Sequence, residues 1–127
     1  MVRVNKSTGR GSNKERRYMA FLHDGLGCCL SGRTDGVEVA HTGQKAMGLK
    51  SPLWTCLPLH YSLHHEEECG RDAFWKQALP GENHLDWAIR LYDCFEKSDR
   101  DSALVLLADM RDLADRQYLA SILAVAA

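Results

Sequence analysis

His41, His60, His64 and His65 are the side chains of this 127-residue chain whose types and spacing could do chemistry. Hydrolysing a phosphodiester requires a base to take a proton from water. It also requires a cation to stabilise charge on the phosphorane and the departing 3′ oxygen. An imidazole can serve as that base near neutral pH. Imidazoles or carboxylates four residues apart on a helix share a face and can meet one ion. His60 and His64 have that spacing, and Glu68 lies one turn further along. His65 is rotated by about 100° from His64 and points to a different face. A single H-x-x-x-H also arises on helices that bind nothing. Three histidines within six residues, following another at the end of an apparent strand, are harder to read as chance. The spacing therefore expects His41 as the base, with His60, His64 and Glu68 around one divalent ion.

The elements that must position these groups can be read from pattern. Residues 1–14 are rich in Gly, Ser, Asn and basic side chains with little to bury, which expects a mobile basic arm. Residues 15–23 (ERRYMAFLH) place Tyr18, Phe21 and Leu22 on one helical face, ended by Gly25 and Gly27. Residues 28–32 (CCLSG), the Asp35-Gly36 turn signal and residues 37–41 (VEVAH) expect a β-hairpin that ends on His41. Residues 42–55 are expected to be a Gly- and Lys-bearing loop. Beyond Pro58, LHYSLHHEEECG expects a short helix that carries the histidines. Further helices are expected over 72–79 and 84–97, and a final one follows a Ser98-Asp99 cap. In it Leu104, Leu107, Met110, Ala114, Tyr118, Ile122 and Val125 fall at helical steps. His23 and His84 are expected to be structural or surface residues. The fold class expected is α+β, a small hairpin-plus-helix core with additional C-terminal helices. Residues 1–14 are the arm, 15–97 the functional domain, and 98–127 a C-terminal helix packed on the core or on a dimer partner.

Charge is distributed unevenly. Residues 1–24 carry six basic side chains against two acidic ones, whereas residues 51–127 carry seven basic against thirteen acidic. A basic arm on an acidic body suits a protein that meets a polyanion at one end, although a solubilising tail has the same composition. Arg16, Arg17, Lys45 and Lys50 are candidates for contacts to DNA phosphates, which give affinity without reading sequence. Apolar residues make up 45% of the chain and charged residues 26%, ordinary values for a soluble globular protein. The absence of a long apolar run or an apolar leader expects no membrane span and a cytoplasmic location. Five cysteines without a C-x-x-C pair argue against both a disulfide framework and a four-thiolate zinc ribbon. They are expected to be reduced, small hydrophobes.

Taken together, C-C-L-S-G-R-T-D-G-V-E-V-A-H, M-G-L-K-S-P-L-W, P-L-H-Y-S-L-H-H-E and G-R-D-A-F-W resemble the phage-encoded HNH nucleases related to the Ref recombination nuclease. That family's pattern has a Cys near the start of a hairpin and an Ala-His at its end. A G-x-K-x-x-D loop follows, then Pro-Leu before a His-rich helix, and a Gly-x-x-x-Phe/Trp-Trp ending. The match covers roughly residues 28–75, a little over a third of the chain. The resemblance implies a ββα-metal fold, divalent-cation-dependent DNA cleavage, and a phage or prophage recombination setting in a bacterial host cell, with a recombinase as a further partner. It implies His41 as general base and His64 as a metal ligand, and His60 stands where relatives have Cys or His. The chain departs from the pattern at Ala40, where many HNH sites place a ligand, at Ser51-Pro52-Leu53, which lacks the loop acid, and at Glu68, in place of a further His. An oxygen ligand at Glu68 favours Mg²⁺ or Mn²⁺ over Zn²⁺. Two alternatives stay open on sequence alone. One is a non-catalytic DNA-binding module that uses the histidines for a structural zinc. The other is an interaction protein whose acidic helical half binds a partner.

Overall fold

The computed structural model describes residues 12–43 and 52–126. Within them the chain is α+β, with six helices and one two-stranded antiparallel sheet. Lys45, Lys50 and residues 1–11 lie outside the described residues.

Helix α1 (Asn13–His23) starts where the Ser12 hydroxyl accepts the Glu15 N–H and the Glu15 carboxylate accepts the Ser12 N–H. This reciprocal cap satisfies two amides that have no partner inside the helix. The helix therefore takes in Asn13 and Lys14, which the sequence pattern assigned to the arm, and it carries Arg16 and Arg17. Its buried side is Tyr18 and Leu22.

Strand β1 (Val37–His41) lies where alternation expects it, but its partner differs from expectation. It pairs with β2 (Cys56–His60), in a register running from Val37↔His60 to His41↔Cys56. Residues 28–32 form a tight turn instead of a strand. The Cys28 carbonyl accepts the Gly32 N–H at 2.9 Å, and Gly32 sits at φ +80, a conformation that glycine tolerates and β-branched or bulky residues avoid. The turn still serves the sheet, because the Cys29 N–H donates to the Pro58 carbonyl at 2.8 Å. In an antiparallel strand the N and C=O of one residue point the same way. The nitrogen of Pro58 therefore faces away from β1, where its missing N–H removes no bond of the ladder. That is how a proline sits in the middle of β2.

A single 3₁₀ turn (Leu53–Thr55) leads into β2, and helix α2 (Tyr61–Cys69) follows β2 directly. The helix begins two residues later than the position of Pro58 suggests. His60 is the last strand residue and the N-cap of α2 together. Gly36 makes this junction possible. Its carbonyl accepts the Tyr61 N–H at 2.9 Å, and a Cβ there would lie 2.9 Å from the Tyr61 ring and 3.2 Å from His60 Nε2.

Helices α3 (Arg71–Ala78), α4 (His84–Glu96), α5 (Arg100–Leu113) and α6 (Arg116–Ala126) complete the chain. The expected single C-terminal helix is two. Ala114 is extended, and the Asp115 carboxylate accepts the Tyr118 N–H while its own N–H donates to the Ala78 carbonyl. An apolar stripe at helical steps runs through this break without recording it. One hydrophobic cluster joins Tyr18 and Leu22 of α1, Leu57 and Leu59 of β2, Leu63, Phe74, Leu91, Leu107 and Met110. The strands and α5 therefore share a core, and each fully buried Leu contributes about 1.5–3 kcal/mol. Among the described residues no helix is long and apolar enough to cross a membrane.

Candidate functional site

The side chains of one strand and one helix meet on α2. His64 Nδ1 lies 2.8 Å from Glu38 Oε1 of β1, and His64 Nε2 lies 3.6 Å from Glu68 Oε2. The first distance is a hydrogen bond, whereas the second is too long for one. The imidazole is mostly covered, with 18% of its side chain exposed, while Glu38 and Glu68 are 54% and 61% exposed. A donated Nδ1–H fixes the ring and leaves the lone pair on Nε2, beside Glu68. A carboxylate that orients a ligating histidine through its far nitrogen is the usual outer partner of a metal site.

Glu38 was not among the residues singled out from the sequence, yet it answers the gap at Ala40. The two residues share a face of β1, because side chains two apart in a strand point the same way. Glu38 thus brings an acid to the helix-facing side from one pleat earlier. It contacts a residue 26 positions away, which no local spacing rule reveals.

His41 lies on the opposite face of β1, with Val37 and Val39. Its Nδ1 is 3.3 Å from the sulfur of Cys56, its partner in the register. Burial pushes the Cys56 thiol up to about 12, so this sulfur stays protonated and is no nucleophile at neutral pH. His41 therefore stands three residues beyond Glu38 along β1 and on the other face, and it is not brought together with His64.

His60 does not share a helical face with His64, contrary to the four-residue spacing. Because it precedes the first turn of α2, its Nδ1 accepts from the Ser62 N–H at 3.3 Å and from the Ser62 hydroxyl at 3.1 Å. It is 2% exposed, and its ring packs on Tyr61. Burial and the nearby Arg33 charge hold its pKa below the usual histidine value, which suits a neutral capping acceptor. Arg16 and Arg17 lie on exposed positions of α1, with the Arg16 guanidinium on the Asn13 carboxamide.

A second polar group on α2 escaped the sequence reading altogether. Glu67 is fully buried and accepts from Arg71 Nε at 2.6 Å and Trp75 Nε1 at 3.1 Å. The other nitrogens of Arg71 donate to the Gly43 carbonyl at 2.9 Å and the His41 carbonyl at 3.0 Å. The Trp75 ring stacks on His84 at 4.3 Å, and His84 Nε2 donates to the Thr42 carbonyl at 3.3 Å. Burial lowers the His84 pKa, so the ring is neutral and serves as a donor. The carbonyls of residues 41, 42 and 43 are therefore each held by a side chain from α3 or α4. The Glu67/Arg71 spacing of four was a visible signal, and His84 proves structural, as expected.

Among the described residues no three or more His, Cys, Asp and Glu side chains form a preformed metal cage. Two direct donors, His64 Nε2 and Glu68, suit an ion that keeps several waters and completes its shell with substrate oxygens, which is the habit of Mg²⁺. Compared with protein-family models, curated proteins and solved structures, the chain matches none.

Proposed function

We propose that this protein is a divalent-metal-dependent DNA endonuclease of the HNH (ββα-metal) type, acting in phage or prophage recombination. The observation that carries the reading is the Glu38–His64–Glu68 cluster, in which a strand acid orients a helix histidine beside a helix acid. The strand–strand–helix order of β1, β2 and α2 supports it, as does the contrast between a basic N-terminal segment and an acidic body.

In this reading His64 Nε2 and Glu68 hold one Mg²⁺ or Mn²⁺ ion, and Glu38 fixes the His64 ring. The ion, when bound, offsets negative charge on the phosphorane and the leaving 3′ oxygen. His41, the base that the resemblance implies, lies across β1 from the ligands of the ion, and the Arg71 and His84 clamp on residues 41–43 holds the strand end that carries it. His60 caps α2 and is left out of the ligand set. Lys45, Lys50, Arg16, Arg17 and the N-terminal arm contact DNA phosphates, which makes binding salt-sensitive and weakly sequence-selective. A recombinase working on the same DNA is the further partner this setting implies.

Plasmid nicking tests the reading. Purified protein with Mg²⁺ or Mn²⁺ is expected to nick supercoiled DNA, and EDTA is expected to stop it. The His41→Ala variant is expected to lose cutting while keeping DNA binding and metal binding near wild type. Metal-replete protein that shifts DNA without ever cutting it would overturn the nuclease reading in favour of a zinc-bearing DNA-binding module.

A further inference from the structure

We infer that His65 and Cys69 form a second metal site, a two-ligand site for a soft divalent ion such as Zn²⁺ on the exposed side of α2. The site is independent of the nuclease reading and uses none of its residues.

Three observations support it. First, the residues are four apart on one helix, so their side chains share a face. Second, His65 Nε2 and Cys69 Sγ already face each other across a sulfur hydrogen bond of 3.8 Å. A tetrahedral zinc with Zn–S of about 2.3 Å and Zn–N of about 2.0–2.1 Å sets its nitrogen and sulfur roughly 3.6 Å apart. The two donors thus stand within a few tenths of an ångström of the separation they would take around one ion, with no change in the helix. Third, both residues are exposed, and Cys69 is the exposed one among five cysteines, of which Cys28, Cys29 and Cys56 are buried.

The donor chemistry separates this pair from the neighbouring one. Imidazole with thiolate selects Zn²⁺ and similar ions, whereas imidazole with carboxylate accepts Mg²⁺ or Mn²⁺. Consecutive residues of α2, His64 and His65, thereby face two classes of ion. Binding at the second site releases the thiol proton of Cys69 to solvent, one proton per ion, and forms the metal–sulfur bond without any change of oxidation state.

Cobalt(II) is the probe, because a thiolate bound to it gives charge-transfer absorption that carboxylate and imidazole do not. Titrated into reduced, metal-free full-length protein, Co²⁺ is expected to produce that absorption with one thiolate per ion and to be displaced by Zn²⁺. Cys69→Ser is expected to abolish it, His65→Ala to weaken the affinity at least tenfold, and His64→Ala to leave it unchanged. Circular dichroism is expected to show that all three variants remain folded. Absence of the absorption in wild type, or its persistence in Cys69→Ser, would overturn the site. Two thiolates per ion on a metal-linked dimer would overturn the single-chain form of it.

Discussion

Glu67 and Glu68 are consecutive residues of α2 and live in opposite circumstances. Glu67 is fully buried, and its oxygens are taken by Arg71 and Trp75. Glu68 is 61% exposed and faces His64 across 3.6 Å. A buried carboxylate with its partners in place does structural work, since removing one partner strands the others. An exposed carboxylate beside an oriented imidazole retains lone pairs for something that arrives later. The 100° step between neighbours on a helix is enough to separate a positioning group from a candidate ligand.

The contrast can be broken most forcefully at Glu67. Glu67→Ala leaves the Arg71 guanidinium half-buried and the Trp75 N–H unsatisfied, and is expected to cost about 3–5 kcal/mol in urea unfolding. A loss below about 1 kcal/mol would mean that the clamp on residues 41–43 does not depend on this carboxylate. The other side of the contrast is sharpened at Glu38. Glu38→Gln is expected to lower metal-dependent cutting by about 10–100-fold, the usual cost of losing an outer partner of a metal ligand. Its stability should change little, because the Glu38 side chain is 54% exposed. An unfolded variant would make Glu38 structural like Glu67.

The smallest effect concerns His84, which closes the clamp. Its folded pKa is depressed, so the unfolded chain takes up a proton there more readily than the fold does. Its contribution is therefore fully present above the unfolded value of about 6.5 and is lost as pH falls below it toward the folded value. Stability measured at about pH 7.5 and about pH 5.5 is expected to fall less in His84→Gln than in wild type. An equal fall in both would show that His84 titrates as it does in the unfolded chain.

The sequence disclosed these regions unequally, for physical reasons. Strand β1, α1 and α4 were legible because alternation, helical spacing of apolar residues and glycine stops are local signals. Strand β2 was not, because CLPLH is buried throughout and contains a proline, so it shows neither alternation nor a strand's usual composition. Its pairing also spans the 42–55 segment. The break at Ala114 was hidden because Asp115 stops one helix and caps the next without interrupting the apolar steps. Within the candidate site, the four-residue spacing announced the proximity of His64 and Glu68. It misplaced His60, because a helix cannot be assumed to start at the first proline. Glu38 and the carbonyl clamp depend on tertiary contacts that spacing cannot express.

Manganese binding, followed by electron paramagnetic resonance on the purified protein, tests the metal reading of the Glu38–His64–Glu68 cluster most directly. Wild type is expected to bind one Mn²⁺ per chain, and His64→Ala to lose that site while remaining folded. No binding in wild type, or equal binding in His64→Ala, would contradict it.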